Sequence, residues 1–400
     1  MIGQGYVGLN IAIAAAENGH IVFGIDNNNS VVENLYKGFT DESGIRSKKL
    51  LKLLQNKKYT PTTNSHFIVQ SDVIVIAVPT PLDLNRRPDL NYLENASQLI
   101  GMHAKEGALV VNESTSYPGT LRNFIKPEIE KINNNKLLYA SAPERIDPGN
   151  KKWNLRNTPR VIAGLTDDAT ERAVDFYLSF CQSIYRANSA EVAEASKLIE
   201  NTYRQVNIAL ANEFSEIAYQ LGFSATDAIA AASTKPFGFE AFYPGIGVGG
   251  HCIPVDPSYL TYAVELLGGK TDFIDLANKI NLKAHVKIID RIENSILGSL
   301  KGLKVQVAGI SYKPNVADLR ESPALLLMLE LKKRGAVVTW HDPLVGKFNY
   351  TNSEELRDDI DLGLILNPHD SIDFTIWKQS KIKVLDLSAS LSSYGWPKFL

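Results

Sequence analysis

Four hundred residues with 44% apolar content suffice for two or three domains, each with its own core, and a formal net charge of −2 provides no field for nucleic acid or an anionic lipid surface. Two cysteines, Cys181 and Cys252, with no CxxC pair and no Cys/His ligand spacing, argue against a disulfide framework or a structural zinc and point to a reducing cytoplasm. No apolar run reaches the roughly 18 residues of a membrane span, and no basic n-region of a signal peptide opens the chain.

In chain order, Gly3-Gln4-Gly5-Tyr6-Val7-Gly8 leads into a helical pattern, and Asp26 ends the apolar run Ile21–Ile25 about twenty residues on. Glycines for a tight turn and close helix packing, then a carboxylate for ribose hydroxyls, make up a dinucleotide fingerprint. No basic residue follows Asp26 at once, which favours NAD over NADP. Only Met1 and Ile2 precede the turn, where such a sheet has its central strand. The neighbouring strands are therefore expected to face an apolar slot with unpaired backbone groups, and NAD binding is expected to be weak.

Further apolar runs at Val73–Val78, Ala108–Val111 and Leu137–Ala140 alternate with helical patterns, as in a parallel sheet. The stretch Ser189 to Leu221 holds no Pro or Gly and predicts one helix about 50 Å long, which bridges domains or pairs subunits. Helical pattern continues from Ser224 to Ile296, interrupted by Pro244-Gly245-Ile246-Gly247-Val248-Gly249-Gly250-His251-Cys252-Ile253-Pro254-Val255-Asp256-Pro257. Here a cysteine sits in a glycine-rich loop with a carboxylate four residues on, which is how an exposed, orientable thiolate is built. After Gly302 four apolar runs, Val305–Gly309, Val337–Trp340, Leu362–Leu366 and Val384–Leu387, predict buried strands separated by helices. The reading is α/β: two doubly wound Rossmann-like domains, 1–188 and 299–400, joined by a central helical domain, 189–298.

On the long helix Lys197, Asn201 and Arg204 share one face at i, i+4 and i+7; such a stripe is most often a solvated face. Glu113-Ser114-Thr115 and Ala142-Pro143-Glu144-Arg145 follow apolar runs at the strand ends where α/β sheets place ligands, although such turns are often only caps and linkers. Lys313 and Arg320 could meet phosphate, or pair with Asp318 and Glu321.

With Val78-Pro79-Thr80-Pro81, Gly249-Gly250-His251-Cys252-Ile253-Pro254-Val255-Asp256 and Asp318-Leu319-Arg320-Glu321-Ser322-Pro323 in the same order, the chain resembles the UDP-glucose/GDP-mannose dehydrogenase family from residue 3 to about residue 390. The resemblance implies oxidation of C6 of a UDP-sugar from alcohol to carboxylate by two NAD in succession, for polysaccharide precursors. It implies Cys252 as nucleophile, Lys197 and Asn201 as oxyanion stabilisers, Asp256 and Thr115 as holders of a catalytic water, and Glu144 as hydrolytic base. Gly3, Gly5, Tyr6, Val7, Gly8, Asp26, Thr80, Thr115 and Arg320 would contact the cofactor, and Arg204, Phe242, Tyr243, Gly249 and Lys313 the UDP-sugar. No metal is implied, and a homodimer through the central helices is expected. Ala142 to Asn150, and Val255 where glucose-type enzymes carry lysine, are similar to the UDP-N-acetylhexosamine branch, most of all to UDP-N-acetylglucosamine 6-dehydrogenases; UDP-glucose and UDP-N-acetylmannosamine stay open as substrates. Two other readings are a two-electron dehydrogenase of the 6-phosphogluconate or 3-hydroxyacyl type, with no use for Cys252, and an inactive dinucleotide-binding homologue.

Overall fold

The computed structural model describes residues 1–40, 47–83, 85–147, 150, 152–294, 298–388, 396 and 398–400. Pro148 and Gly149 of the strand-end motif, and Ile296 at the expected end of the helical middle, lie outside these. The chain divides into two compact units, Met1–Glu200 with Ser258–Gly269, and Asn201–Pro257 with Lys270–Leu400.

The first unit holds strands β1 (Val22–Ile25), β2 (Tyr59–Thr62), β3 (Val73–Ile76), β4 (Leu109–Asn112), β5 (Leu138–Ser141), β6 (Arg160–Gly164) and β7 (Ile184–Arg186). Its helices are α1 (Tyr6–Glu17), α2 (Asn29–Tyr36), α3 (Ser47–Gln55), α4 (Asn91–His103), α5 (Lys126–Glu130) and α6 (Asp167–Leu178). Strands pair in the orders β2-β1 and β3-β4-β5-β6-β7, with only β5 and β6 antiparallel. Ile2 bridges the two sets, in parallel to Ile25 and to Ile76. Alternation along the strands sends Val75, Leu109 and Val111 into one core with α1 and α6, and Ile74, Ile76 and Val110 into the other with α4. Both faces are covered, which is why these strands read as continuous apolar runs.

The expected empty slot beside β1 and β3 is filled at its glycine-turn end. Ile2 N donates to Val75 O and Ala77 N to Ile2 O, both at 2.8 Å, while Ile25 N donates to Met1 O at 2.7 Å and Gly3 N to Ile25 O at 2.8 Å. Three residues thus satisfy both neighbours where the glycine turn begins.

The long helix α7 spans Ala190–Leu221, followed by α8 (Ala225–Ala232), α9 (Asp256–Glu265) and α10 (Asp272–Ile292). In the second unit β8 (Lys304–Ala308), α11 (Pro323–Lys333) and β9 (Val337–His341) form a parallel β-α-β element. A two-residue-per-strand hairpin, β10 (Lys347–Phe348) and β11 (Thr351–Asn352), comes next, then β12 (Leu362–Ile365), α12 (Thr375–Gln379) and β13 (Lys383–Asp386). The sheet order is β13-β12-β8-β9. That hairpin corrects the expectation of a helix in every crossover: the chain between β9 and β12 carries Pro343, Gly346 and Asn349, and Asn349 and Tyr350 take positive φ in the turn. No helix among the described residues is long and apolar enough to cross a membrane.

Candidate active site

The glycine turn lies at the C-terminal end of the Ile2 bridge, between β1 and β3, where the strand order reverses and α/β sheets bind ligands. Gly3 has φ +90°, and a Cβ there would stand 2.3 Å from Ala77 O, so only glycine fits. A Cβ at Gly8 would meet Gly3 O at 2.0 Å, which packs α1 hard against the turn. Gly5 caps α1 without a side-chain acceptor and no acidic residue occupies the first turn; Tyr6 and Val7 open the helix, at the end whose dipole favours an anion. Asp26 follows β1, half-buried, and accepts from Gln4 N at 2.8 Å and Asn28 N at 2.9 Å with lone pairs to spare. These residues fit the pyrophosphate and ribose of a dinucleotide.

Two turns at neighbouring strand ends carry the next group. Ser114 Oγ accepts from Val78 N at 3.0 Å and donates to Val78 O at 2.9 Å, pinning the Thr115 turn to the end of β3. Thr115 itself is half-buried. Thr80 is buried, its carbonyl taken by the Tyr259 hydroxyl at 2.7 Å. Glu144 is buried, and its Oε1 accepts from Arg145 N at 2.5 Å and Ile146 N at 2.6 Å, its Oε2 from Arg160 Nη1 at 3.1 Å. Arg160 also holds Glu113, to which the Tyr177 hydroxyl donates. Burial pushes Glu113 up to about 7 against the pull of Arg160.

Along α7 Lys197 is buried, Asn201 half-buried and Arg204 exposed, so the stripe is a solvated face only at its C-terminal member. Glu194, on the same helix, accepts from Gly119 N at 2.6 Å and Leu121 N at 2.9 Å, and burial lifts it to about 7.

In the second unit Cys252 is half-buried. Its carbonyl accepts from Val255 N at 3.1 Å and Asp256 N at 2.8 Å, a turn that delivers the chain into α9. Asp256 is buried and takes the Asn201 amide at 2.6 Å. Gly250, at φ +89°, lies against Tyr312; a Cβ there would be 2.8 Å from the ring, so the loop depends on its absence. Gly249 and Lys313 are half-buried. Arg320 is exposed and its guanidinium is bound to Asp318, with Nη2 to Oδ2 at 2.6 Å; burial raises Asp318, but this pairing holds it below the usual carboxylate range. Its carbonyl accepts from Gly250 N at 3.1 Å, and its charge couples to Cys252. Phe242 stacks edge-on to Tyr203, ring centroids 5.7 Å apart, beside half-buried Tyr243. Cys181, by contrast, is buried and its thiol is pushed up to about 11 by burial, the setting of an inert cysteine. Among the described residues no group of His, Cys, Asp or Glu is placed to hold a metal ion.

The sequence reading passed over Arg160, Tyr177 and Glu194. The signal for Arg160 was a charge opening an otherwise apolar run, Arg160-Val161-Ile162-Ala163. Tyr177 and Glu194 give no such signal, since each lies on an amphipathic helix.

A doubly wound sheet with a dinucleotide turn, joined in sequence to a helical segment bearing a turn-mounted cysteine, defines an NAD-dependent oxidoreductase. Residues 1–187 match the NAD binding domain of the UDP-glucose/GDP-mannose dehydrogenase family, 191–283 its central domain and 306–388 its UDP binding domain. The protein CapL of Staphylococcus aureus is 35% identical over 86% of this chain and 81% of its own length. UDP-N-acetyl-D-glucosamine 6-dehydrogenase of Pseudomonas aeruginosa is 32% identical over 86% and 82%. The solved UDP-D-ManNAc dehydrogenase from Pyrococcus horikoshii superposes with a TM-score of 0.86 at 31% identity, covering 99% of this chain and 96% of that one. The chain belongs to the UDP-glucose/GDP-mannose dehydrogenase family and is an NAD-dependent UDP-sugar dehydrogenase acting on a CH–OH group.

Proposed function

We propose that the chain oxidises C6 of a UDP-N-acetylhexosamine, UDP-N-acetylglucosamine first, by four electrons to the uronic acid, through a covalent intermediate on Cys252. The observation that carries the reading is the turn from Cys252 to Asp256 with Asn201 2.6 Å from the Asp256 carboxylate. NAD, when held by Gly3, Gly5, Tyr6, Val7, Gly8, Asp26 and Thr80, accepts the hydride of each oxidation.

The aldehyde left by the first oxidation is captured by the Cys252 thiolate: an Sγ–C6 bond forms and the carbonyl opens to an oxyanion. Lys197 and Asn201 supply an ammonium and an amide donor to that oxyanion. Loss of the C6 hydrogen as hydride turns the thiohemiacetal into a thioester. Water held by Thr115 and Asp256 then adds to the thioester carbon while Glu144 takes its proton, and the C–S bond breaks to return the thiolate. Arg204, Phe242, Tyr243, Gly249 and Lys313 would hold the UDP-sugar, and Arg320 would act at the cofactor or on the charge of Cys252.

Val255, in place of the lysine of glucose-type enzymes, supports a hexosamine. The likeness to the Pyrococcus protein favours UDP-N-acetylmannosamine as the second reading. The test is NADH formation with UDP-glucose, UDP-GlcNAc, UDP-GalNAc and UDP-ManNAc, compared as kcat/KM. A maximum at UDP-GlcNAc supports the first reading, one at UDP-ManNAc the second, and turnover of UDP-glucose alone removes both.

A second copy of the chain is proposed to pair along α7. Its exposed Val192, Ile199, Tyr203, Leu210, Ile217 and Leu221 lie within about 40° of one another at 100° per residue, a straight apolar seam unlike a solvated face. A monomer in sedimentation at micromolar concentration would count against it.

A further inference from the structure

Four buried polar side chains at the strand ends of the first unit form one connected group. Arg160, the first residue of β6, is 4% exposed, Glu113 1%, Glu144 4% and Tyr177 0%. The guanidinium reaches Glu144 Oε2 from Nη1 at 3.1 Å, and from Nη2 both the Ala142 carbonyl at 3.0 Å and Glu113 Oε2. Its Cζ lies 4.6 Å from the centroid of the Tyr177 ring, whose hydroxyl donates to the other Glu113 oxygen. Two carboxylates just past the ends of adjacent parallel strands thus share one cation whose plane is set by a ring beneath it. A lysine has the charge but not the fork that meets both acids at once.

The consequence follows from sequence position. Glu113 stands two residues before Thr115, and Glu144 is the carboxylate assigned to water activation. We infer that Arg160 is a positioning residue for the hydrolytic step: anchored by Glu113 and Tyr177, it fixes the Glu144 carboxylate and ties its turn to the turn that carries Thr115. This rests on the reading of Glu144 as the base. An ion pair serving stability alone would not discriminate between halves of the reaction, whereas Arg160 acts only after the thioester has formed. Burying these ions is itself no evidence of stabilisation, since apolar replacements of such groups are often neutral.

The experiment compares Arg160→Lys, Glu144→Gln and the double variant in the full chain, with two readouts. One is the pre-steady-state burst of NADH on mixing enzyme, NAD and UDP-sugar; the other is the acyl adduct on Cys252 after acid quench, by mass spectrometry. Arg160→Lys should keep the burst and the kcat/KM for UDP-sugar, accumulate the adduct, and lower steady-state kcat by about 100-fold, the lower end of the scale for a general base, with KM falling in step. The double variant should be no slower than Glu144→Gln. Equal loss of burst and steady state in Arg160→Lys, or full activity, overturns the inference. If Glu144→Gln accumulates no adduct, the base reading fails instead; if it does and Arg160→Lys does not, only the Arg160 inference fails. Should Arg160→Lys not fold, Tyr177→Phe removes the anchoring hydroxyl with little change of shape. It should accumulate the adduct with a several-fold lower kcat, and unchanged kinetics in that variant would count against the inference.

Discussion

Asp26 follows β1 in the first unit and Asp342 follows β9 in the second, each just past the second parallel strand of a Rossmann-like β-α-β element. Asp26 is half-buried and bonded to two backbone amides, with capacity left for ribose hydroxyls. Asp342 is fully buried and saturated. Its Oδ2 takes Ile310 N at 2.9 Å, Ser311 N and Ser311 Oγ at 3.0 Å and faces His369 Nε2 at 3.0 Å, while Oδ1 takes Leu344 N and Val345 N at 3.1 Å. His369 Nδ1 accepts from Asn315 N at 2.7 Å, which fixes the ring beside Asp342. One fold has kept its strand-end carboxylate open for a ligand; the other has spent it on closing its own turn. The architecture alone therefore does not locate the NAD site, and the state of one aspartate does.

Substitution should separate the two most sharply. Asp342→Ala leaves several buried donors without an acceptor and should cost about 3–5 kcal/mol, seen as a lower melting temperature with the KM for NAD unchanged. Asp26→Ala should do the reverse, raising the KM for NAD about 10- to 100-fold with melting and UDP-sugar KM nearly constant. If both variants behave alike, the contrast is lost.

Titration gives a smaller separation. Asp342 is held at about 2 against burial by His369 and the Ser311 groups, below its unfolded value of roughly 4. Its contribution is present above that unfolded value and is lost as the pH falls toward 2. Glu113 and Glu194 are raised to about 7 by burial. Their contribution is complete below their unfolded values near 4.5 and is lost as the pH rises through 7. Melting curves should therefore decline on the acid side below pH 4, and on the neutral side by a few degrees between pH 5 and 8. Glu113→Gln should reduce the neutral decline and leave the acid one. The smallest effect is expected at Cys181, where replacement by alanine should leave turnover intact, since its thiol lies far from the reactive range.

The sequence made the central strands legible because burial on both faces turns Val73–Ile76 and Ala108–Val111 into unbroken apolar runs. Edge strands were not: Tyr59–Thr62 contains Pro61, and Ile184–Arg186 is largely exposed, so neither has that signature. The glycine turn, Asp26 and the Cys252 loop are local in sequence and could be read directly. The Arg160 group could not, because Glu113, Glu144, Arg160 and Tyr177 meet only once β4, β5 and β6 are laid side by side. Asp342 follows the apolar run Val337–Trp340 by two residues, much as Asp26 follows Ile21–Ile25, and its closure depends on His369, 27 residues further on in another loop.

The most direct test of the account is the NADH yield per UDP-sugar consumed, in wild type and in Cys252→Ala. A covalent four-electron oxidation at Cys252 predicts two NADH per sugar with the uronic acid as product, and no uronic acid from Cys252→Ala, which should still bind the UDP-sugar. One NADH per sugar in the wild type, or full activity in Cys252→Ala, would contradict it.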